Sequence, residues 1–361
     1  MSVVKFKWKT GFKMAVLSAV VLTTVFMVFK YTDALKSGIR QGLYLCGYVV
    51  IPSLFVFTAI SLFISSSGLA FFFGKFLEPL SSKLFALDGE QFSCFILSLL
   101  SGYPTGARLI SNLYERGRIS AQKARLMLLY CINAGPAFIV TAVGVIILNS
   151  NSDGVRLLIA HILSSIIMAA IVGIYIKNKG LFIQKRNNLA QNKRTYLSDS
   201  FVESVSSAAV SMFYICGFVI LFSGIGGLVD CLPISKGVLQ NIKGFLEVTV
   251  GIQNCTRKTL EKAAFLLGFG GLSVMLQVMS AAKEFKPSFF LIFLSRIVHG
   301  VLSAGIVAIN NMVFPRTLQT VSLGEPIKQV TIHTSPFAAA ALVFLSIVLI
   351  CYVKPKGEKM L

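Results

Sequence analysis

The stretch Leu97–Ser120 reads LSLLSGYPTGARLISNLYERGRIS, and its reading decides the fold. An apolar run, Phe92–Leu100, stops at Ser101-Gly102-Tyr103-Pro104-Thr105-Gly106. As a helix that run reaches about 14 Å at ~1.5 Å per residue. A bilayer core needs roughly 20 apolar residues, so the run goes about half-way. The pattern predicts a chain that enters the membrane, breaks at Gly-Tyr-Pro and returns to the same side. Backbone groups freed at membrane depth survive only where protein or a wet cavity satisfies them. In transporters such breaks sit at the substrate site. For this window taken alone, a short amphipathic helix with a surface loop is the plain alternative.

Composition settles the class. The chain has 361 residues, of which 55% are hydrophobic and 13% charged, with a mean hydropathy of +0.78. A soluble protein carries about 25% charged residues. Several long apolar runs point instead to a multi-pass membrane protein. The net charge is +20, from 34 basic and 14 acidic residues. Excess Lys and Arg in cytoplasmic segments explains that balance better than a nucleic-acid partner does. The seven cysteines form no CxxC and the three histidines no ligand cluster, so neither a disulfide framework nor a structural zinc is expected.

Outward from the deciding stretch, five segments follow. Residues 1–38 hold a basic start (Lys5, Lys7, Lys9, Lys13) and the apolar run Met14–Phe29. No A-x-A site follows that run, so it reads as a retained helix rather than a signal peptide. Residues 39–176 hold a span at Leu43–Phe63, an interfacial amphipathic piece at Leu69–Leu80, and the half-helix, capped by Asp88 with Gln91. Ser120 caps a helix through Leu126–Leu148, which Asn133-Ala134-Gly135-Pro136 should kink or unwind. After the loop Asn149–Gly154, Leu157–Ile176 is a span with His161 inside it. Residues 177–200 form a basic linker, and Ser200 with Glu203 reads as a capping box for the next helix. Residues 201–310 hold the span Phe201–Val229 and a second short apolar piece, Gly244–Ile252 (GFLEVTVGI), which includes Glu247. After the polar stretch Gln253–Lys262 come Ala263–Ala282, interrupted by Gly268-Phe269-Gly270-Gly271, and Phe289–Ile309, with Arg296 and His299. Residues 311–361 hold a loop, a last span at Pro336–Val353, and a basic tail.

The two halves echo each other. Tyr44–Val50 matches Tyr214–Ile220 at an offset of 170, and Ser101-Gly102-Tyr103 matches Val250-Gly251-Ile252 at 149. Asn133–Pro136 matches Gly268–Gly271, and His161–Leu163 matches Arg296–Val298, both at 135. With the N-terminus inside and both half-helices re-entrant, 22 of the 34 Lys and Arg fall inside and 11 outside, Arg296 lying within a span. That bias fits the positive-inside orientation with both termini cytosolic. The first half then starts outside and the second inside, as in the inverted repeats of many secondary transporters. The expected fold is all-α and membrane-integral, with eight transmembrane helices and two re-entrant hairpins in two inverted-topology repeats.

Charges within spans are functional hypotheses. Glu247, three residues before the Val-Gly-Ile break, reads as a solute contact or a sodium or proton site. Its alternative is a packing ion pair with Arg296. Arg296 and His161 hold equivalent repeat positions, and the guanidinium fork suits a carboxylate or phosphate. For His161 a packing role stands equal to a functional one, and His299 lies one turn from Arg296. Asn133 beside Gly135-Pro136, and Ser273 after Gly270-Gly271, would sit beside freed backbone groups. Half-helix N-termini favour anions. The substrate-binding set is therefore Gly102, Tyr103, Pro104, Thr105, Gly106, Asn133, Gly135, Pro136, His161, Glu247, Thr249, Gly251, Gly270, Gly271, Ser273 and Arg296. Arg108 and Arg116 read as cytosolic anchors.

SGYPTGA (Ser101–Ala107) with NLYERGRIS and NAGPAF, and LEVTVGI (Leu246–Ile252) with GFGGLSVMLQ (Gly268–Gln277), resemble the YlbJ-type sporulation integral membrane proteins. That family sits in the nucleoside-recognition or Gate-domain superfamily, which is similar in architecture to concentrative nucleoside transporters. The resemblance covers most of residues 40–310. It implies a bacterial inner-membrane protein, on the forespore membrane in a sporulating cell, that moves dipicolinate from mother cell to forespore. Dipicolinate is a small aromatic dianion, which agrees with Arg296; nucleosides remain open as solutes.

The expected function is a transporter or facilitator for a small anionic, aromatic solute. No cofactor is expected, and a coupling ion, Na+ or H+, stays open. The expected partners are the solute and membrane lipids, with no nucleic acid. A non-transporting membrane scaffold is the rival reading, though it has no need of Glu247 or Arg296. No H-E-x-x-H, GxSxG or paired intramembrane Asp speaks for an enzyme.

Overall fold

The structure, a computed structural model, describes residues 8–180 and 197–314. These residues are all-helical and contain no strand. The first helix is α1 (Trp8–Lys30). Next, α2 (Thr32–Leu45) runs through a wider π turn at Cys46–Val50 into α3 (Ile51–Ser66). Together α2 and α3 form a continuous 35-residue apolar helix, long enough to cross a membrane. Four others reach that length: α8 (Asn151–Asn178), α9 (Leu197–Val229), the broken pair α12 (Leu260–Phe269) and α13 (Gly271–Ala281), and α14 (Phe289–Val313).

The deciding stretch is capped and broken where its sequence predicts. A capping box, in which Asp88 Oδ1 accepts from Gln91 N at 2.9 Å, starts α5 (Gly89–Ser101). The chain breaks at Gly102, whose φ of +95° is closed to most side chains, and resumes as α6 (Tyr103–Glu115). The piece expected to lie at the interface extends further, as α4 (Leu69–Phe85). Its Gly74–Phe85 part makes an 85° bend with α5, and Ser93 Oγ donates to Ala70 O at 2.7 Å across the pair.

Three expectations change. The eight-span count is replaced, among the described residues, by five crossing-length helices, or six if the bent α4–α5 pair is one span. Of the remaining candidates, Met14–Phe29 lies in α1, whose apolar part is shorter than a span, and Pro336–Val353 lies outside the described residues. Leu126–Leu148 is not one helix. It is α7 (Ala121–Leu128), an unwound stretch over residues 129–135, and a π-helical segment, Phe138–Ile147. Pro136 and Gly135 act as the sequence predicts, but the break is wide enough to end the span rather than kink it. Ser200 is not a cap either. It lies inside α9, where its carbonyl accepts from Ser204 Oγ at 2.6 Å.

Small residues let the long helices touch. A Cβ on Gly38 of α2 would fall 2.3 Å from the Ser223 carbonyl of α9, and one on Gly42 2.8 Å from Ile220 Cα. Such close backbone approach is how apolar helices associate in lipid, where burial gives no driving force between them. Two polar layers flank the bundle. Arg257–Asp153 (2.9 Å) and Arg156–Asn311 (3.3 Å) lie at the start of α8, while Lys177 at its end donates to Lys83 O. Those ends are about 42 Å apart at ~1.5 Å per residue. The charges thus gather beyond an apolar layer thick enough for a bilayer core.

Gly38→Ala should push α2 off α9, at a cost of about 1–3 kcal/mol for overpacking. Gly47→Ala meets nothing within 4 Å and should melt like the parent in detergent. Equal melting of both variants would refute the close contact.

Candidate functional site

Four helix breaks meet in the centre of the bundle. The α5–α6 break is the first, at Gly102. The unwound stretch of residues 129–135 is the second: a Cβ on Gly135 would lie 3.4 Å from Leu100 O and 3.5 Å from Gly102 N. The third separates α10 (Lys236–Leu246) from α11 (Val248–Ile252), and it falls at Glu247. The fourth is Gly270, between α12 and α13; Gly270 and Gly271 have φ of +78° and +82°. A Cβ on Gly271 would lie 3.2 Å from Val248 N and 3.3 Å from Glu247 N. Tyr103 ties the first break to the fourth by donating from its hydroxyl to Leu267 O at 2.8 Å.

The Glu247 reading therefore changes. The sequence placed it within a half-helix, ahead of a break at Val-Gly-Ile. In the structure Glu247 is the break, with extended backbone, and Gly251 lies inside α11, packed on Gly244. The buried carboxylate accepts from Val250 N at 2.9 Å and from the Thr249 hydroxyl at 2.9 Å. A carboxylate there complements the freed N–H groups and positive end of the next helix. Glu247 and Arg296 form no ion pair.

Arg296 instead serves the second break. Its Nη2 donates to Leu129 O at 2.6 Å and its Nη1 to Ile132 O, two carbonyls of the unwound region. Nη1 also donates to His299 Nδ1 at 3.1 Å, so the His299 ring proton sits on Nε2, which donates to His161 O at 3.2 Å. His161 Nε2 accepts from Ala134 N at 3.0 Å, and the two imidazoles lie against each other with centroids 4.4 Å apart and planes tilted by 34°. Asn133 completes the grip. Its amide donates to Tyr130 O at 3.0 Å and Ser98 Oγ at 3.2 Å, and its carbonyl accepts from Ser165. Helices α8 and α14 thus hold the unwound backbone with side chains.

Pro104, Gly135, Glu247, Thr249 and Gln277 line a small cavity of about 30 Å³ at the junction. Thr105 faces away from it, toward Thr58 (3.3 Å), and Gly106 is pressed against the Cys131 carbonyl. Ser273 accepts from Gln277 Nε2 at 3.1 Å. Pro104, Ile215 and Gln277 also border a larger vestibule of about 500 Å³. Its walls are faces of α3, α6, α9 and α13, carrying Arg108, Asn112, Tyr214 and several serines. The sequence reading missed this vestibule and left Arg108 at the surface. The signal was present in α6, where Pro104, Arg108, Ser111, Asn112 and Glu115 recur at helical spacing.

Similarity to known proteins agrees with the motifs. The chain is 26% identical over 317 residues to the sporulation integral membrane protein YlbJ of Bacillus subtilis (strain 168), covering 77% of this chain and 78% of that one. That identity supports the YlbJ-type family. No family model matches the chain. No solved structure matches it.

Replacing Arg296 by leucine would leave the Leu129 and Ile132 carbonyls unpaired, and each buried orphan costs about 1–3 kcal/mol. Arg296→Leu should melt well below the parent in detergent, and Arg296→Lys, which can still reach one carbonyl, between the two. A leucine variant as stable as the parent would show that Arg296 does not hold the break.

Proposed function

We propose that this YlbJ-type integral membrane protein is a transporter or facilitator for a small organic anion, with dipicolinate as the solute that the family resemblance suggests. The observation that carries the reading is the meeting of four helix breaks beneath a polar vestibule. Irregular backbone at membrane depth is tolerated where it is buried in protein or lines a wet cavity, and transporter sites are built this way. A scaffold would not require it.

The order of elements supports a two-repeat architecture. The series α3, α5–α6, α7 with its unwound stretch, and α8 runs in the same order as α9, α10–α11, α12–α13 and α14. Residues paired by the sequence repeat come together: Cys46 Sγ lies 3.7 Å from Cys216 O, and His161 and Arg296 share one buried cluster. In this reading the repeats are inverted and the vestibule opens toward the cytosol, because its rim carries Arg116 and Lys283 from segments that the charge bias places inside. Glu247 is the candidate for a coupling cation. Its carboxylate borders the small cavity and has no basic partner among the described residues.

Purified protein in liposomes should release trapped dipicolinate saturably, faster under a pH or sodium gradient, and Glu247→Gln should remove the gradient dependence. Uridine flux in place of dipicolinate flux would move the solute to the nucleosides. A folded protein that carries neither would support the scaffold.

Orientation has its own measurement. In a cysteine-free background, a single cysteine at Asn112 should react only with reagent on the cytosolic side, and one at Ser152 only from outside. Labelling of the Asn112 site from outside would overturn the re-entrant reading of residues 89–115.

A further inference from the structure

We propose that Arg108, with the aromatic face of α9, forms the docking site in the vestibule for a carboxylate on a flat organic body. The vestibule sorts its charges by depth. Glu115, Arg116, Glu203, Lys283 and Glu284 are all on its outer edge and form the rim. Arg116 donates to Ser65 O at 3.2 Å, and Lys283 lies 3.9 Å from Glu284. Arg108 stands about 10 Å deeper along α6 than Glu115, seven residues away at ~1.5 Å each. It is half-buried, and among the described residues it makes one hydrogen bond, at 3.5 Å to Ser207 O, and no ion pair. A guanidinium has five donors in a fork that fits a carboxylate, and beyond the Ser207 bond its charge is met only at longer range, by Tyr214 and Glu115, so most of its hydrogen-bonding capacity is unused among the described residues. A half-buried cation with so little compensation favours an anionic occupant.

The opposite wall sets the shape of that occupant. Ser207, Ser211, Tyr214 and Phe218 recur at helical spacing on one face of α9, and all line the vestibule. Ser207 meets Arg108 through its carbonyl, Tyr214 lies near enough to interact with the guanidinium, and the two rings share the wall with Ile215 and Gln277. Inorganic phosphate would satisfy the guanidinium but leave the rings bare. A flat carboxylate can do both, its ring lying on Tyr214 or Phe218. A volume of about 500 Å³ is within the usual range for a small-molecule site. Arg296 offers no such contact, because its Nη groups are engaged with Leu129 O, Ile132 O and His299.

The inference rests on the carrier reading for its purpose, but equilibrium binding tests it without any flux. The full chain in phosphatidylcholine nanodiscs should bind radiolabelled isophthalate. Binding should fall at least 30-fold in Arg108→Gln and about tenfold in Arg108→Lys, which keeps the charge and loses the fork. Tyr214→Leu should weaken isophthalate several-fold and leave the affinity for succinate unchanged. Unlabelled isophthalate should compete with the probe at least tenfold better than inorganic phosphate. Equal affinity in parent and Arg108→Gln would overturn the proposal. So would equal competition by phosphate, or loss of binding when phosphatidylglycerol is added, which would assign Arg108 to a lipid headgroup. If Arg108→Gln does not fold, Arg108→Lys and competition on the parent protein decide between the same outcomes. Binding that obeys these rules in a protein without flux would retire the carrier and keep the site.

Discussion

A backbone that leaves its helix inside an apolar layer must find partners for every freed N–H and C=O, because lipid supplies none. This constraint shapes the centre of the bundle. The helix ends over residues 129–135, and where the backbone bonds run out Arg296, His161 and Asn133 supply side-chain partners, reaching the Leu129 and Ile132 carbonyls, the Ala134 amide and the Tyr130 carbonyl. The other breaks are met in the same way with other chemistry. Glu247 offers its carboxylate to Val250 N, and the Thr58 hydroxyl donates to Ser101 O at 3.2 Å beside Gly102. Buried charge here is the cost of irregular backbone at depth. It is not by itself a sign of a charged solute.

Satisfying the breaks separately would not bring them together; small residues do that. Gly135 sits against the Gly102 turn because it has no side chain, and Gly271 sits against the Glu247 turn for the same reason. Farther out, Gly268 on α12 meets Gly300 on α14, where a Cβ would fall 2.7 Å from Gly300 N. That contact sets α14 beside α12, and α14 in turn places Arg296 on the unwound stretch. Packing by glycine and satisfaction by arginine therefore depend on each other: a bulkier residue at position 268 would draw the guanidinium away from its carbonyls.

Breaks made by glycine and proline were legible in the sequence, because those residues act on their own backbone. Gly102, Gly135-Pro136 and Gly270-Gly271 are punctuated where the structure breaks. The capping box at Asp88 was legible for the same local reason. Glu247 was not, because a carboxylate that ends one helix by capping the next looks like any charge in an apolar run. Leu126–Leu148 was read as one span because apolar letters continue across residues 129–135 although the helix does not. Arg296 was legible as a buried charge but not in its role. The charge is visible in one letter, whereas its partner comes from a segment more than 160 positions away.

The same reasoning separates the two arginines that a solute anion could seek. For a carboxylate to reach Arg296, it would have to displace hydrogen bonds to two carbonyls and leave both orphaned in the core. Each orphan costs about 1–3 kcal/mol, which cancels much of what a bidentate pair returns. Arg108 meets no such penalty, since its single long bond to the Ser207 carbonyl is easily given up beside a polar, open cavity. Glu247 adds a second bias. Its carboxylate borders the small cavity beyond Pro104 and Gln277, so an anion moving from the vestibule toward the breaks meets like charge. That repulsion falls when the carboxylate takes a proton or a cation sits beside it. In the carrier reading, Glu247 is therefore the place where a compensating positive charge would sit as an anion passes, because its carboxylate borders the small cavity and has no basic partner among the described residues.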